Sequence, residues 1–231
     1  MITAVLTPHP AIASAFAAQL DLSKLPNAFG AVTEVYRKGN FVVAVSKDPA
    51  AIVAVREEYG PERLYYASFG DSVTSERFTG DVVLPNAFVP YSKTEEAEEE
   101  ASFLENYENQ EDYDFETFGL SIGGVCVSTE LPIDDDLLLD IASEYGADVV
   151  DKDGCSVVTQ GTESDEFVLY PIYGVTGGIV GNGEERISEA VVAKNMAAVF
   201  RFLEETFSDE TGEEEDVGTE DNDSVTGDGD E

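Results

Sequence analysis

Leu64–Pro85 reads LYYASFGDSVTSERFTGDVVLP. Leu64–Phe69 is a run of apolar and small residues, the pattern of a strand buried on both faces. A glycine-containing turn is expected at Gly70-Asp71, then a polar loop. Gly80-Asp81 opens a second apolar run, Val82–Leu84. A turn directly after a buried strand is where open α/β sheets place their ligands, because the strand ends there and leaves backbone groups and side chains facing a crevice.

Working outward, the same alternation recurs. Ile2–Thr7 reads as a first strand, and Pro8–Leu20 as an Ala-rich helix with Pro10 early, where a helix tolerates it. Ala31–Arg37 alternates as a half-exposed strand. Gly39-Asn40 makes a hairpin turn into the apolar strand Phe41–Ser46. Asp48 is placed to cap a helix with Pro49 in its first turn, ending at Gly60-Pro61. Leu120–Ser128 reads as one strand with a bulge at its Gly-Gly. Ile133–Gly146 is a helix with acids at its positive end, and Asp148–Val150 a short strand. Phe167–Val175 is a further strand, and Glu184–Phe207 the longest helix. Strands and helices in alternation, with mostly continuous apolar strands, predict a three-layer α/β/α domain over residues 1–207 with a mixed, partly barrel-like central sheet.

Charge sets the second constraint. The chain carries 49 Asp and Glu against 12 Lys and Arg, a net charge of −37. Thr94–Glu116 holds 11 acids and no base, and Ser208–Glu231 holds 12 acids and no base. The remainder still has 26 acids against 12 bases. Residues 94–116 read as a solvated acidic insert with a helical part at Glu95–Leu104, and residues 208–231 as a disordered acidic tail. Such acidity resembles proteins of salt-loving organisms, in which strong salt screens self-repulsion. It argues against nucleic-acid and anionic-membrane partners, which need a basic footprint. No apolar run approaches a membrane span, and Met1–Leu20 has no basic leader, so a cytoplasmic protein is expected. Cys126 and Cys155 have no CxxC spacing and read as buried free thiols. No zinc or EF-hand calcium spacing occurs.

The order of pieces is similar to the nucleoside phosphorylase and methylthioadenosine/adenosylhomocysteine nucleosidase superfamily. The resemblance is carried by the first strand and helix, VVAVSKDPAAIVAV (42–55), the 64–85 stretch with its Gly-Asp-Val-Val signature, ADVVDKDG (147–154), IYGVTGG (172–178) and SEAVVAKNMAAVFRFLEE (188–205). It spans about residues 1–207, apart from the acidic insert. It implies a nucleoside or nucleobase as ligand, no cofactor beyond phosphate as co-substrate in a phosphorylase, and a homo-oligomer. Cleavage of an N-glycosidic bond needs a group that holds the ribose, an acid for the departing base and a positioned nucleophile.

The resemblance puts Asp153 where the family has its ribose-gripping Glu, one methylene shorter. It puts Gly177 where the family has the Asp that contacts the purine. Thr7–Ala11 has no carboxylate where the hydrolases carry a water-orienting Glu, and no base stands in the first glycine turn for phosphate. The expected ligand-binding residues are His9, Ser68, Gly70, Asp71, Asp153, Thr176 and Gly177, with Ser72 beside them. His9 reads either as a ribose or phosphate contact or as a half-exposed residue between two prolines. Ser68, Gly70, Asp71 and Ser72 read as pocket lining or as a tight turn, and Asp153 as a ribose binder or a loop or helix-cap acid. Thr176 and Gly177 read as base-site residues or as a flexible loop. The implied function is a divergent nucleoside-binding protein with degraded cleavage machinery. The alternatives are a non-catalytic structural or regulatory protein on the same fold, and an active nucleosidase using Asp148, Asp151, Asp165 or Glu166.

Overall fold

The computed structural model describes residues 1–74, 79–91, 102–103, 120–162, 168–178 and 187–210. The first strand, β1 (Thr3–Thr7), is buried throughout and leads into helix α1 (Pro10–Gln19), which sets Ile12, Ala13, Phe16 and Ala17 inward. β2 (Ser23–Lys24) and β3 (Glu34–Lys38) precede β4 (Phe41–Val45). β3 and β4 form an antiparallel hairpin around Gly39-Asn40. Helix α2 (Ala51–Tyr59) begins two residues after the expected start. Asp48 caps the turn before it, its Oδ1 accepting from Ala50 N at 3.0 Å and its carbonyl from Ala51 N. Gly60 ends α2 in the left-handed conformation.

The stretch that opened the reading departs from expectation at its centre. β5 (Arg63–Ser72) does not stop at Phe69; Gly70 and Asp71 continue the strand, and no turn forms there. Gly70 serves close approach. A Cβ at this position would lie 3.1 Å from Val150 O and 3.2 Å from a Val149 methyl, tighter than a side chain tolerates without displacing the neighbouring strand.

β6 (Val82–Leu84) and β7 (Ala87–Pro90) follow. The described part of the acidic insert, Ser102–Phe103, is strand β8, antiparallel to β7, so the helix expected over Glu95–Leu104 is corrected there. Pairing with an exposed strand edge overrides a helical pattern in a two-residue piece. The rest of that helix lies outside the described residues. The expected single strand Leu120–Ser128 is two, β9 (Leu120–Ile122) and β10 (Val125–Ser128). Gly123 and Gly124, at φ 86° and 102°, break it.

Helix α3 (Asp135–Tyr145) is capped by Asp134, whose carboxylate accepts from Leu137 N at 2.9 Å, and closed by left-handed Gly146. β11 (Val149–Asp151), α4 (Gly154–Gly161), β12 (Val168–Gly178) and α5 (Glu189–Glu210) complete the chain. α5 runs into the segment expected to be disordered; the tail beyond Glu210 lies outside the described residues. Cys126 is buried and Cys155 only half-buried, which corrects the reading of both as buried; neither is in a disulfide.

The twelve strands among the described residues join one mixed sheet. β4, β1, β5 and β12 run parallel in that order. β6 is antiparallel to β12, and β9 is parallel to β6. The far end of β5 also pairs antiparallel with β11, which continues through β10 to β7 and β8. The sheet therefore forks at β5 and does not close. α1 and α5 cover one face, around Phe16, Met196 and Phe200. α2 and α4 cover the other, around Ile52, Val55 and Val157. Each large apolar side chain buried here contributes about 1.5–3 kcal/mol. Among the described residues no helix is long and apolar enough to cross a membrane.

Candidate functional site at the fork of the sheet

The fork leaves a gap. On one edge of β5, β1 pairs as far as Leu6 opposite Tyr66, and β11 takes over only at Val150 opposite Asp71. Among the described residues, Ala67–Gly70 have no strand partner on that edge. Parallel strands ending beside such a gap are the topological switch point at which α/β sheets hold ligands.

His9 sits over the gap, in extended conformation immediately before α1. Its Nε2 lies 3.3 Å from Ser68 Oγ, and its ring packs against Phe69 with centroids 4.6 Å apart. Burial, aided by the positive charge of Lys47, lowers its pKa to about 4. The ring is therefore neutral at physiological pH and can both donate and accept a hydrogen bond. His9 is thus a half-buried residue whose ring meets another expected site residue.

The only histidine of the chain gives a clean pH signature. Its folded pKa lies below its unfolded value of about 6.5, so the unfolded state binds the proton first as pH falls. Stability from this group is fully present above about pH 6.5 and is lost progressively toward pH 4. Between pH 7 and 5 the wild type should lose about 1–2 kcal/mol relative to His9→Gln. Parallel pH profiles of the two proteins in urea unfolding would disprove the burial of a neutral His9.

Across β5 from the gap, β12 runs parallel in register until an irregularity between Val175 and Gly177. Val175 faces Gly70, Gly177 faces Asp71, and Thr176 is the extra residue; its Oγ1 points to Gly70 O at 3.5 Å. Gly70, Asp71, Thr176 and Gly177 are therefore brought together, as regular strand pairing with a bulge instead of the flexible loop that was the alternative for 176–177. Ser72 is turned away into a local turn, exchanging bonds with Thr74.

The third wall is the junction of β11 and α4. Asp153 occupies the N-cap position of α4 but makes no capping bond. It lines a shallow surface depression together with Pro8, Ser46, Lys47, Tyr66 and Val157. Desolvation raises its pKa. Two residues earlier, Asp151 is buried and densely bonded. Its Oδ1 accepts from Ser128 Oγ at 2.7 Å, and its Oδ2 from Gly154 N at 2.8 Å and Tyr173 OH at 2.9 Å; Cys126 Sγ stands 3.7 Å from Oδ1. Burial raises the Asp151 pKa, and the hydrogen bonds oppose the shift.

Of the proposed substitute carboxylates, Asp151 is tied to the structure and Asp148 holds Val125 N at 3.0 Å. Asp165 and Glu166 lie outside the described residues. Lys47, Tyr66, Phe69 and Tyr173 were not singled out from the sequence. Lys47 has a legible signal: it closely follows β4, a strand parallel to β1. The others belong to strands whose burial is plain but whose facing is not. Among the described residues no cluster of three or more His, Cys, Asp or Glu could hold a metal.

No family model matches the chain, and no curated protein matches it. Solved structures do match. The methylthioadenosine/S-adenosylhomocysteine nucleosidase of Campylobacter jejuni superposes with a TM-score of 0.69 at 13% identity, covering 90% of this chain and 99% of that one. A futalosine hydrolase mutant of Helicobacter pylori gives 0.70 at 12% identity, covering 90% and 99%. A mutant of the Helicobacter pylori nucleosidase with 5'-methylthioadenosine in its active site gives 0.68 at 12%, covering 89% and 98%. The fold implied by the order of strand and helix motifs is present along nearly the whole of these solved structures: the chain has the fold of the methylthioadenosine/S-adenosylhomocysteine nucleosidases.

Proposed function

We propose that the protein binds a nucleoside or related ligand at the fork of the sheet and has lost the standard machinery for cleaving it. The observation that supports this most is the His9 ring bonded to Ser68 over the strand-end gap, on a fold whose solved examples include nucleosidases. Asp153 grips the ribose hydroxyls as a paired acceptor, and neutral His9 adds a hydrogen bond from the end of β1. Cleavage is disfavoured by three features of the chain. The start of α1, Pro10-Ala11, has no carboxylate to position water. Gly177 provides no acid at the end of β12. Asp153 is one methylene shorter than a glutamate. The protein acts in the cytoplasm, as a homo-oligomer, without nucleic acid or membrane partners. A non-catalytic structural or regulatory role is the second reading, favoured by these same losses.

The test is incubation of purified protein in high salt with inosine, uridine and methylthioadenosine, with and without phosphate. The expected result is no release of free base, together with a ligand-induced rise in Tm. At a hundredfold excess over Kd this is about 2.7 kcal/mol, or about 5–10 °C for a chain of this size. Asp153→Ala should abolish the rise. Steady release of base would overturn the loss of cleavage, and the absence of any shift with all three nucleosides would leave only the structural role.

A further inference from the structure

We infer that Ser68 is a positioning residue that holds His9 as its Nε2–H tautomer, so that Nδ1 is offered as an acceptor and selects an O–H or N–H donor over a phosphate; this rests on the nucleoside-binding reading above. A serine hydroxyl has one proton to give and two lone pairs to fill. Three groups meet the buried Ser68 hydroxyl. Phe69 O lies 3.4 Å away and, as a carbonyl, only accepts, so it takes the proton. The Tyr66 phenol, two residues earlier on β5, is a more acidic hydroxyl than that of serine and gives its proton to Ser68 Oγ. His9 Nε2, at 3.3 Å, is the remaining partner, and only a protonated nitrogen fills the second lone pair.

That assignment fixes the other side of the ring. In a neutral imidazole one nitrogen carries the hydrogen and the other a lone pair, and the bond made by one sets the role of the other. Nδ1 therefore carries the lone pair. Among the described residues it makes no hydrogen bond and is not enclosed. The ring is half-buried against Phe69, which limits its rotation over the gap.

The chemistry of the group that suits Nδ1 follows. A phosphate dianion brings acceptor oxygens, which would face a lone pair unless the ring took up a proton. Burial is the larger cause of the lowered His9 pKa and Lys47 the smaller, so an anion that matched the Lys47 charge would still meet a neutral ring. A sugar hydroxyl, or the N–H edge of a base, gives its proton to Nδ1 and leaves the ring unchanged. Of the two contacts expected for His9 from the sequence, ribose and phosphate, the tautomer admits the first.

The experiment records the ring-nitrogen NMR shifts of isotope-labelled His9, the only histidine of the chain, in concentrated potassium chloride at about pH 8, above the second ionisation of a phosphate. In free wild type Nε2 should show the shift of a nitrogen that bears hydrogen, and Nδ1 that of one that does not. Ser68→Ala should draw the two shifts together as the Nδ1–H form enters, and Ser68→Thr, which keeps the hydroxyl, should restore them. With half of the ring in the other tautomer, nucleoside Kd should rise about twofold in Ser68→Ala. Inosine, uridine or methylthioadenosine should move Nδ1 on wild type without protonating the ring, and inorganic phosphate should move neither nitrogen. Hydrogen on Nδ1 in wild type would overturn this inference alone. So would unchanged shifts in folded Ser68→Ala, or protonation of the ring by phosphate. The expected wild-type tautomer with no response to any of the three nucleosides would overturn the nucleoside reading, and leave the bond from His9 to Ser68 standing.

Discussion

Asp151→Ala should cost about 3–5 kcal/mol of unfolding free energy, measured by urea unfolding at high salt. The carboxylate is fully enclosed and receives four donors from three elements: Ser128 and Cys126 on β10, Tyr173 on β12 and Gly154 at the start of α4. Its removal leaves a buried phenol, a hydroxyl and an amide facing one another without an acceptor. Each orphaned donor costs about 1–3 kcal/mol. The cavity adds to the loss, because packed surroundings relax only partly. Asp151→Asn should cost less. Its oxygen can keep Gly154 N and Tyr173 OH, while its amide donates to Ser128 Oγ, which already accepts from Cys155 N at 2.8 Å. A loss under 1 kcal/mol for the alanine variant would mean that the network does not hold β10, β11, β12 and α4 together. The consequence for the site is direct, because Asp153 stands on the same junction; the alanine variant should lose nucleoside binding along with stability.

The Tm should rise by about 10 °C or more between 0.1 M and 2 M potassium chloride. A net charge of −37 on 231 residues is self-repulsive, and the repulsion grows on compaction. At 0.1 M salt charges interact over about 10 Å, whereas at 1 M the range is about 3 Å, shorter than most separations between surface acids. Few cations offset the acids locally. The surface ion pairs Lys24–Glu34, Lys38–Asp21, Arg201–Glu205 and the N-terminus with Glu62 are each exposed enough to contribute little. The buried pair Arg63–Glu204, joined by Thr3 and Tyr65, is shielded from salt and should not respond. Chloride rather than sulfate separates screening from the general strengthening of apolar burial. A flat profile from 0.1 to 2 M would remove the salt-adapted reading of the composition.

The elements themselves were legible where their causes are local. Apolar continuity marked β1, β4 and β12. Gly60 and Gly146 marked helix ends because a left-handed residue closes a helix, and Asp134 marked a start because its carboxylate reaches an amide three residues on. The order of these pieces carried the resemblance, and the fold matches it. The candidate site residues were chosen for the same reason, from the expected ends of strands, although Gly70 and Asp71 lie within β5.

What the sequence could not supply is pairing across long separations. Gly70 reads locally as a turn, yet β12 and β11 extend β5 through it, about 105 and 80 residues further along the chain. Asp151 reads as one acid among many until Ser128 and Tyr173 close on it. Lys47 is a surface cation until β4 lies beside β1 and brings it near His9. By itself the sequence determined the elements, their order and the acidic surface, because backbone propensity, capping and charge act within a few residues. The fork of the sheet, the gap that His9 covers and the placing of Asp153 beside Tyr66 and Val157 were decided only by the tertiary structure. Strand register is a non-local hydrogen-bond pattern, and a shift of one residue moves every side chain to the opposite face.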